Sequence, residues 1–393
     1  MIGIGVIGYG YWGPNLVRNF ADTPGARVVA VSDLREDRLA QLQARYPAIG
    51  TTRDYRDIIA NPLIDAVVIA TPVSTHFELA LQALQAGKHV LVEKPLVATV
   101  EQGLRLRDEA ARRQRVLMVD HTFVYTGAVR KIKEIVSGGL LGPVYYYDSV
   151  RINLGLYQRD INVLWDLAVH DLAIMDHVLE ARPCAVSAVG VAHVGEQEDI
   201  AYLTCLFENN TIAHIHVSWL APVKVRRTLI GGARQMIVYD DLEPSEKVKV
   251  YDRGVITSTG GSGRAGGSPG AGSNGNGANG NGPDGGARSS GGGARSSSGG
   301  LNGAYELLVG YRTGDMWAPK LDASEALQAG AKHFVECIQS TGVSGRAGGS
   351  GEAGQPMTGG EEGLRVVTIL EAAQRSLELR GRPVELAWER VAA

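Results

Sequence analysis

Between Ile2 and Val119 the chain alternates short apolar runs with longer amphipathic ones. The apolar runs are Ile2–Ile7, Arg27–Ser32, Asp65–Ala70, His89–Val92 and Val116–Val119. Helical stretches separate them: one running through Phe20, then Arg35–Tyr46, His76–Ala86 and Val100–Arg113. In His76–Ala86 the apolar residues Ala80, Leu81 and Leu84 recur at helical spacing. Short runs that are apolar throughout, each followed by a helix, predict a parallel sheet covered on both faces.

Beyond Asp120 the pattern changes. Val129–Val136 and Asn162–Leu179 read as helices and Val144–Val150 as a strand. The runs Ala185–Val194, Ala201–Glu208, Thr211–Leu220, Arg227–Ile230, Gln235–Tyr239 and Lys247–Asp252 then follow without helices between them. Successive strands of this kind predict an antiparallel sheet. Leu321–Gln339 and Glu361–Arg380 close the chain as helices, and Gly381 stands where a helix stop is expected. The expected organisation is α/β: a doubly wound parallel domain over 1–120, then an α+β domain with a mainly antiparallel sheet over 121–393.

Composition changes this picture in one place. Gly accounts for 51 of 393 residues, nearly twice the usual ~7%. The excess sits in 257–303, which has almost no apolar residue, and in a shorter run within 342–360. Such segments cannot bury enough surface to offset their ordering entropy, so both are expected to be flexible surface insertions in the second domain. The hydrophobic fraction of 44% otherwise suits a folded core.

Charge and cysteine use narrow the function classes. Lys and Arg number 39 and Asp and Glu 42, a net charge of −3, which lacks the basic footprint of a nucleic-acid binder. Three scattered cysteines, Cys184, Cys205 and Cys337, make neither a disulfide framework nor a metal pair. No apolar window is long enough for a membrane span or a signal peptide. The expectation is a cytoplasmic protein with reduced thiols, no metal, and no nucleic-acid or membrane partner.

Three motifs carry chemistry. Gly8-Tyr9-Gly10-Tyr11-Trp12-Gly13 follows the first strand and opens a helix. Gly8 allows the tight turn, Gly10 lets backbone approach a pyrophosphate, and Gly13 permits close helix–strand packing. Asp33 ends the second strand, where a carboxylate can accept ribose hydroxyls and repel a 2′-phosphate. That favours NAD over NADP, although Arg35 and Arg38 lie close by. Glu93-Lys94-Pro95 follows another strand, and its Lys could stabilise an alkoxide; alone it is equally a solvated Lys before a turn. Asp166 and His170 stand one helical turn apart, which suits proton transfer near neutral pH but also describes an ordinary polar helix face.

Together the segments GYGYWGPN, ATPVSTH (Ala70–His76), AGKHVLVEKPL (Ala86–Leu96) and WDLAVHD (Trp165–Asp171) resemble the glucose–fructose oxidoreductase/inositol dehydrogenase/MocA family over most of the chain outside the Gly-rich runs. The resemblance implies an N-terminal Rossmann domain and a C-terminal domain with an open-faced sheet that forms a homodimer or homotetramer interface. It also implies NAD(P)-dependent oxidation or reduction of sugar, nucleotide-sugar or cyclitol hydroxyls. Carried over residue by residue, Lys94, Asp166 and His170 are catalytic, and Gly8, Gly10, Gly13 and Asp33 touch the dinucleotide. Tyr11 and Trp12 lie over the pyrophosphate and nicotinamide side. Thr71, Pro72 and His76 form the loop under the nicotinamide riboside, and Glu93 and Lys94 face the cofactor. Ala168 stands where the family often has Gly.

His121, Tyr125, Arg151, Asn153, Tyr157 and Gln158 flank the expected cleft in sequence as substrate contacts, with surface or sheet-face positions as the alternative. The GYWG loop and NVLWDL resemble the subgroup of nucleotide-sugar 3-dehydrogenases. The expected activity is NAD(H)-dependent oxidation at C3 of a nucleotide-activated hexose such as a UDP-N-acetylhexosamine. In it His170 takes the hydroxyl proton, Lys94 stabilises the alkoxide and Asp166 supports both. The alternatives are an inositol or free-sugar dehydrogenase of the same fold, and an NAD(H)-binding sensor without catalysis.

Overall fold

The computed structural model describes residues 1–155, 157, 160–257, 309–341 and 354–388. The expected insertion 257–303, apart from Thr257, and residues 342–353 of the shorter Gly-rich run lie outside the described residues.

Residues 2–120 form a six-stranded parallel sheet with helices between the strands. In chain order these are β1 (Ile2–Ile7), α1 (Gly13–Ala21), β2 (Ala26–Ser32), α2 (Glu36–Arg45), β3 (Gly50–Thr52), α3 (Tyr55–Ala60), β4 (Ala66–Ile69), α4 (Val73–Gln85), β5 (His89–Glu93), α5 (Val100–Arg113) and β6 (Leu117–Asp120). The strand order is β3-β2-β1-β4-β5-β6. Strands β4, β5 and β6 are buried at every residue, because helices cover both faces. The short edge strand β3 and helix α3 are missing from the apolar pattern: Gly50–Thr52 has no apolar residue and α3 buries only Ile58. The chain moves outward from β1 to β3 and then crosses to β4. The C-terminal ends of β1 and β4 therefore border the point where strand order reverses, the crevice in which open α/β sheets hold ligands.

The remaining elements are α6 (Gly127–Ser137), β7 (Val144–Leu154), α7 (Val169–Leu179), β8 (Ala185–Val191), β9 (Ile200–Leu206), β10 (Ile212–Ser218), β11 (Leu220–Gly232), β12 (Met236–Asp240), β13 (Val248–Tyr251), β14 (Gly254–Thr257), β15 (Val309–Arg312), β16 (Met316–Trp317), α8 (Ala326–Thr341), α9 (Gly360–Glu378) and β17 (Val384–Glu385). Nine of these strands form one sheet in the order β16-β13-β12-β11-β7-β10-β9-β8-β17. Its β7–β10 pair is parallel and its other pairs are antiparallel. Side chains alternate across it: Ala213, Ile215 and Val217 are buried on one face, while Val189, Tyr202, Leu206 and Ile212 are exposed on the other. Helices α7 and α9 pack among the buried elements, with α9 against β8. Strands β14 and β15 pair as a separate two-stranded sheet. No described helix is long and apolar enough to cross a membrane.

Two helices differ from the pattern. The stretch expected as one helix over Asn162–Leu179 begins with a π-helical turn, Leu164–Ala168, before α7. The helix expected from Leu321 begins at Ala326, because the Asp322 carboxylate accepts the Ser324 N–H at 3.0 Å and closes a local turn first.

Candidate active site

The glycine loop fits a dinucleotide at its three glycines for three different reasons. Gly8 has φ +98°, and a Cβ there would stand 2.4 Å from the Ala70 carbonyl at the end of β4. A Cβ on Gly13 would stand 2.6 Å from the Gly8 carbonyl. A Cβ on Gly10 would meet nothing within 4 Å. Gly8 and Gly13 are therefore required by the protein's own packing, whereas Gly10 opens onto free space, where a bound pyrophosphate would need it. Asp33 Oδ2 accepts the Tyr9 N–H at 2.6 Å and Oδ1 accepts the Arg35 N–H at 2.9 Å. Its carboxylate ties the loop to the end of β2, and each oxygen keeps acceptor capacity for a ribose hydroxyl. Arg35 is committed to Asp37 at 2.6 Å. Tyr11 and Trp12 sit on the rim, exposed, with rings edge to face at 5.7 Å.

The opposite wall comes from β4 and β5. Pro72 precedes α4 as its N-cap and is exposed, and Thr71 and Thr75 share a hydroxyl contact at 2.7 Å. His76 is fully buried, with ring nitrogens 2.8 Å from the Thr71 carbonyl and 2.9 Å from the Pro95 carbonyl. It braces these two loops instead of facing the crevice. Glu93 departs from its expected place in the same way. It is buried beside its register partner Asp120, and burial together with that neighbour pushes its carboxyl well above the usual carboxylate range. Asp120 is itself pushed up to about 6 by burial.

Lys94, Asp166 and His170 gather at the end of β5. Lys94 Nζ donates to the Asp166 carbonyl at 2.8 Å and to Asp166 Oδ1 at 3.1 Å. Asp166 Oδ2 accepts the indole N–H of Trp219 at 3.0 Å. The carboxylate one turn from His170 is thus held by Lys94 and Trp219, and His170 Nδ1 has no hydrogen-bond partner among the described residues. The Phe123 ring lies 5.0 Å from the His170 ring, edge to face. Burial, with the nearby charges of Lys94 and Arg151, pushes the His170 imidazolium pKa well below its ordinary value. At neutral pH His170 is therefore a neutral base, next to a fixed ammonium that can hold an oxyanion. Trp219 had no motif around it in the sequence; only a Trp preceding a strand could have hinted at it.

The residues expected to contact substrate divide. Asn153 lies half-buried on β7, and Gln158 lies outside the described residues. Tyr157 is partly exposed, and its hydroxyl donates to Asp199 Oδ2 at 2.5 Å. Three others are buried. Tyr125 is buried beneath α8, its hydroxyl 3.2 Å from that of Thr358. Arg151 is buried in an ion pair with Asp171, donating at 2.6 and 3.2 Å, so its charge is already matched by the protein. His121 is buried with neither ring nitrogen partnered among the described residues, and burial and Lys94 lower its pKa to about 3. Tyr125 is taken up by the protein's own packing, whereas Arg151 Nη1 and both His121 ring nitrogens have no hydrogen-bond partner among the described residues.

Comparison with known proteins agrees with this fold. Residues 2–121 match the family model described as "Oxidoreductase family, NAD-binding Rossmann fold", and residues 129–238 match the GFO/IDH/MocA C-terminal domain. The chain is 30% identical to the UDP-N-acetylglucosamine 3-dehydrogenase of Acidithiobacillus ferrooxidans over 65% of its own length and 79% of that protein's. It is 25% identical to the myo-inositol 2-dehydrogenase of Thermotoga maritima over 64% of its length and 79% of that protein's. A solved structure of the Acidithiobacillus enzyme superposes with a TM-score of 0.71 over 97% of this chain and 99% of the other, at 24% identity, which establishes the shared fold.

Proposed function

The chain belongs to the Gfo/Idh/MocA family of NAD-binding oxidoreductases, and on that premise we propose that it oxidises the C3 hydroxyl of a nucleotide-activated hexose such as a UDP-N-acetylhexosamine. The observation that carries the chemistry is the Lys94–Asp166 pair beside a neutral His170 at the C-terminal end of β5, the same edge of the parallel sheet as the glycine loop. When bound, NAD supplies the acceptor for the hydride that leaves the carbinol carbon. Gly8, Gly10, Gly13 and Asp33 hold the dinucleotide, with Thr71 and Pro72 along its opposite wall. His170 takes the hydroxyl proton. Lys94 steadies the developing alkoxide, and Asp166 keeps the Lys94 ammonium in place. An NAD-binding sensor would need the glycine loop but not a buried ammonium–carboxylate pair beside a histidine.

The choice of sugar rests on similarity to the Acidithiobacillus enzyme at 30% identity. The similarity to a myo-inositol 2-dehydrogenase supports a second reading, oxidation of a cyclitol. Incubating the protein and NAD⁺ separately with UDP-N-acetylglucosamine and with myo-inositol, following NADH absorbance, separates them. NADH formation with the nucleotide sugar and a 3-keto product by mass spectrometry is the expected result. Turnover of the cyclitol alone supports the second reading, and no turnover of any sugar or cyclitol overturns both. The exposed apolar face of the nine-stranded sheet supports association as a homodimer or homotetramer.

A further inference from the structure

We propose that Trp219 is a positioning residue, whose indole N–H fixes the Asp166 carboxylate so that its other oxygen stays on the Lys94 ammonium. The inference rests on the reading above only for what Lys94 does in turnover; the hydrogen-bonded chain itself is independent of substrate.

Trp219 is almost completely buried, so it is not a platform for a sugar. Its one polar atom donates to Asp166 Oδ2 at 3.0 Å, while Asp166 Oδ1 takes the Lys94 ammonium at 3.1 Å. A carboxylate can rotate about its last torsion. With a donor fixed on one oxygen, the other is held toward Lys94.

Surrounding residues hold the indole. A Cβ on Gly155 would stand 2.7 Å from Trp219 Cδ1, so glycine is needed there for the ring to fit. The Tyr157 ring covers the indole with centroids 5.0 Å apart. The Tyr157 hydroxyl is anchored on the fully buried Asp199, whose backbone carbonyl accepts the backbone N–H of Trp219 at 2.9 Å. Asp199 also accepts the backbone N–H groups of His193 and Val194, at 2.7 and 3.0 Å. A chain of contacts thus runs from the β8–β9 connection through Tyr157 and Trp219 to Asp166 and Lys94.

The test uses the full-length protein. Lys94 Nζ donates two hydrogen bonds to Asp166, and a nitrogen held by its partners is less open to a reagent. Loosening Asp166 therefore frees the Lys94 nitrogen and speeds its acetylation by substoichiometric acetic anhydride, read by peptide mass spectrometry. Trp219→Phe is expected to raise Lys94 labelling by about threefold or more, and to have little further effect in an Asp166→Asn background, where no carboxylate charge remains. With the sugar that the parent protein turns over, kcat is expected to fall by about tenfold while KM for NAD⁺ and for the sugar stay within about twofold, the scale of one hydrogen bond to a charged group. Gly155→Ala, which moves the indole but keeps its donor, is expected to reproduce the labelling change. Unchanged Lys94 labelling in Trp219→Phe, or an equal effect in the Asp166→Asn background, overturns the inference. Because labelling needs no substrate, its outcome is separate from whether the proposed sugar is turned over.

Discussion

Lys94 Nζ donates to both the backbone carbonyl and a carboxylate oxygen of Asp166, at 2.8 and 3.1 Å, joining residues 72 positions apart in sequence. An ammonium has three N–H donors. Two are held by one residue, so the third has a fixed direction and is the one left for a substrate oxygen. A point charge fixed in this way stabilises an oxyanion without reorganising during the reaction.

Removing either partner of that oxygen is expected to slow chemistry and spare cofactor binding. Lys94→Ala and His170→Ala should each lower kcat by at least about a hundredfold, with NADH affinity by fluorescence titration close to that of the parent. Their combination should cost less than the product of the single losses, because both act on one oxygen. His177→Ala is the control and should stay within about threefold. A His170→Ala protein near the parental rate would remove His170 from the mechanism.

The glycine loop offers a paired test of stability against binding. Gly8→Ala puts a Cβ 2.4 Å from the Ala70 carbonyl at φ +98°, so it should lower Tm and weaken NAD binding together. Gly10→Ala meets nothing within 4 Å, so Tm without cofactor should be unchanged while Kd for NAD⁺ rises by about tenfold or more. Calorimetry and thermal melts on both variants check this. Full NAD affinity in Gly10→Ala would show that the pyrophosphate does not approach there.

Asp33 should set the choice between NAD and NADP. A 2′-phosphate facing its carboxylate is repelled, and Arg35, one of the two nearby cations, is committed to Asp37. NAD⁺ should therefore bind more tightly than NADP⁺, and Asp33→Ala should narrow the gap. Because Asp33 also holds the Tyr9 and Arg35 N–H groups, the variant should lose NAD⁺ affinity as well as selectivity. Tighter binding of NADP⁺ by the parent protein would overturn this assignment.

The pH profile should reflect a base that is already neutral. Burial and the Lys94 and Arg151 charges push the His170 pKa well below its ordinary value. A base with a lowered pKa keeps its reactive form down to lower pH, so kcat/KM for alcohol oxidation should not rise through neutrality on account of His170. Its acid limb should lie well below that of an ordinary histidine. A limb centred near pH 7 that disappears in His170→Ala would contradict the burial of this ring.

Stability should fall on the acid side for a related reason. His121 has its pKa lowered to about 3 in the folded protein, against ~6.5 unfolded. Between these values the unfolded chain binds a proton that the folded protein does not, so this group's share of stability is present above pH ~6.5 and is lost as pH falls. At pH 5 the loss is about 2 kcal/mol. His121→Leu should therefore raise Tm relative to the parent more at pH 5 than at pH 8, as thermal melts at the two pH values will show.

What the sequence determined by itself is what local chemistry dictates. Runs such as Ala66–Ile69 and Val90–Val92 are apolar on both faces, which only a covered parallel strand accommodates. Gly8 and Gly13 stand where backbone approaches backbone, and Lys94 ends a strand. These are properties of neighbours in the chain, so periodicity and motif spacing expose them. The tertiary structure decided which buried polar groups pair. Arg151 reads as an unpaired cation until Asp171 is seen to take its Nε and Nη2 groups, and His76 as a cofactor contact until Thr71 and Pro95 claim its ring. Asp166 seems to serve His170 until Lys94 and Trp219 take its two oxygens. A buried polar group must find a partner wherever the fold brings one. For Asp166 those partners come from the end of one sheet and from the junction of β10 and β11 in another, a relation that no spacing along the chain records.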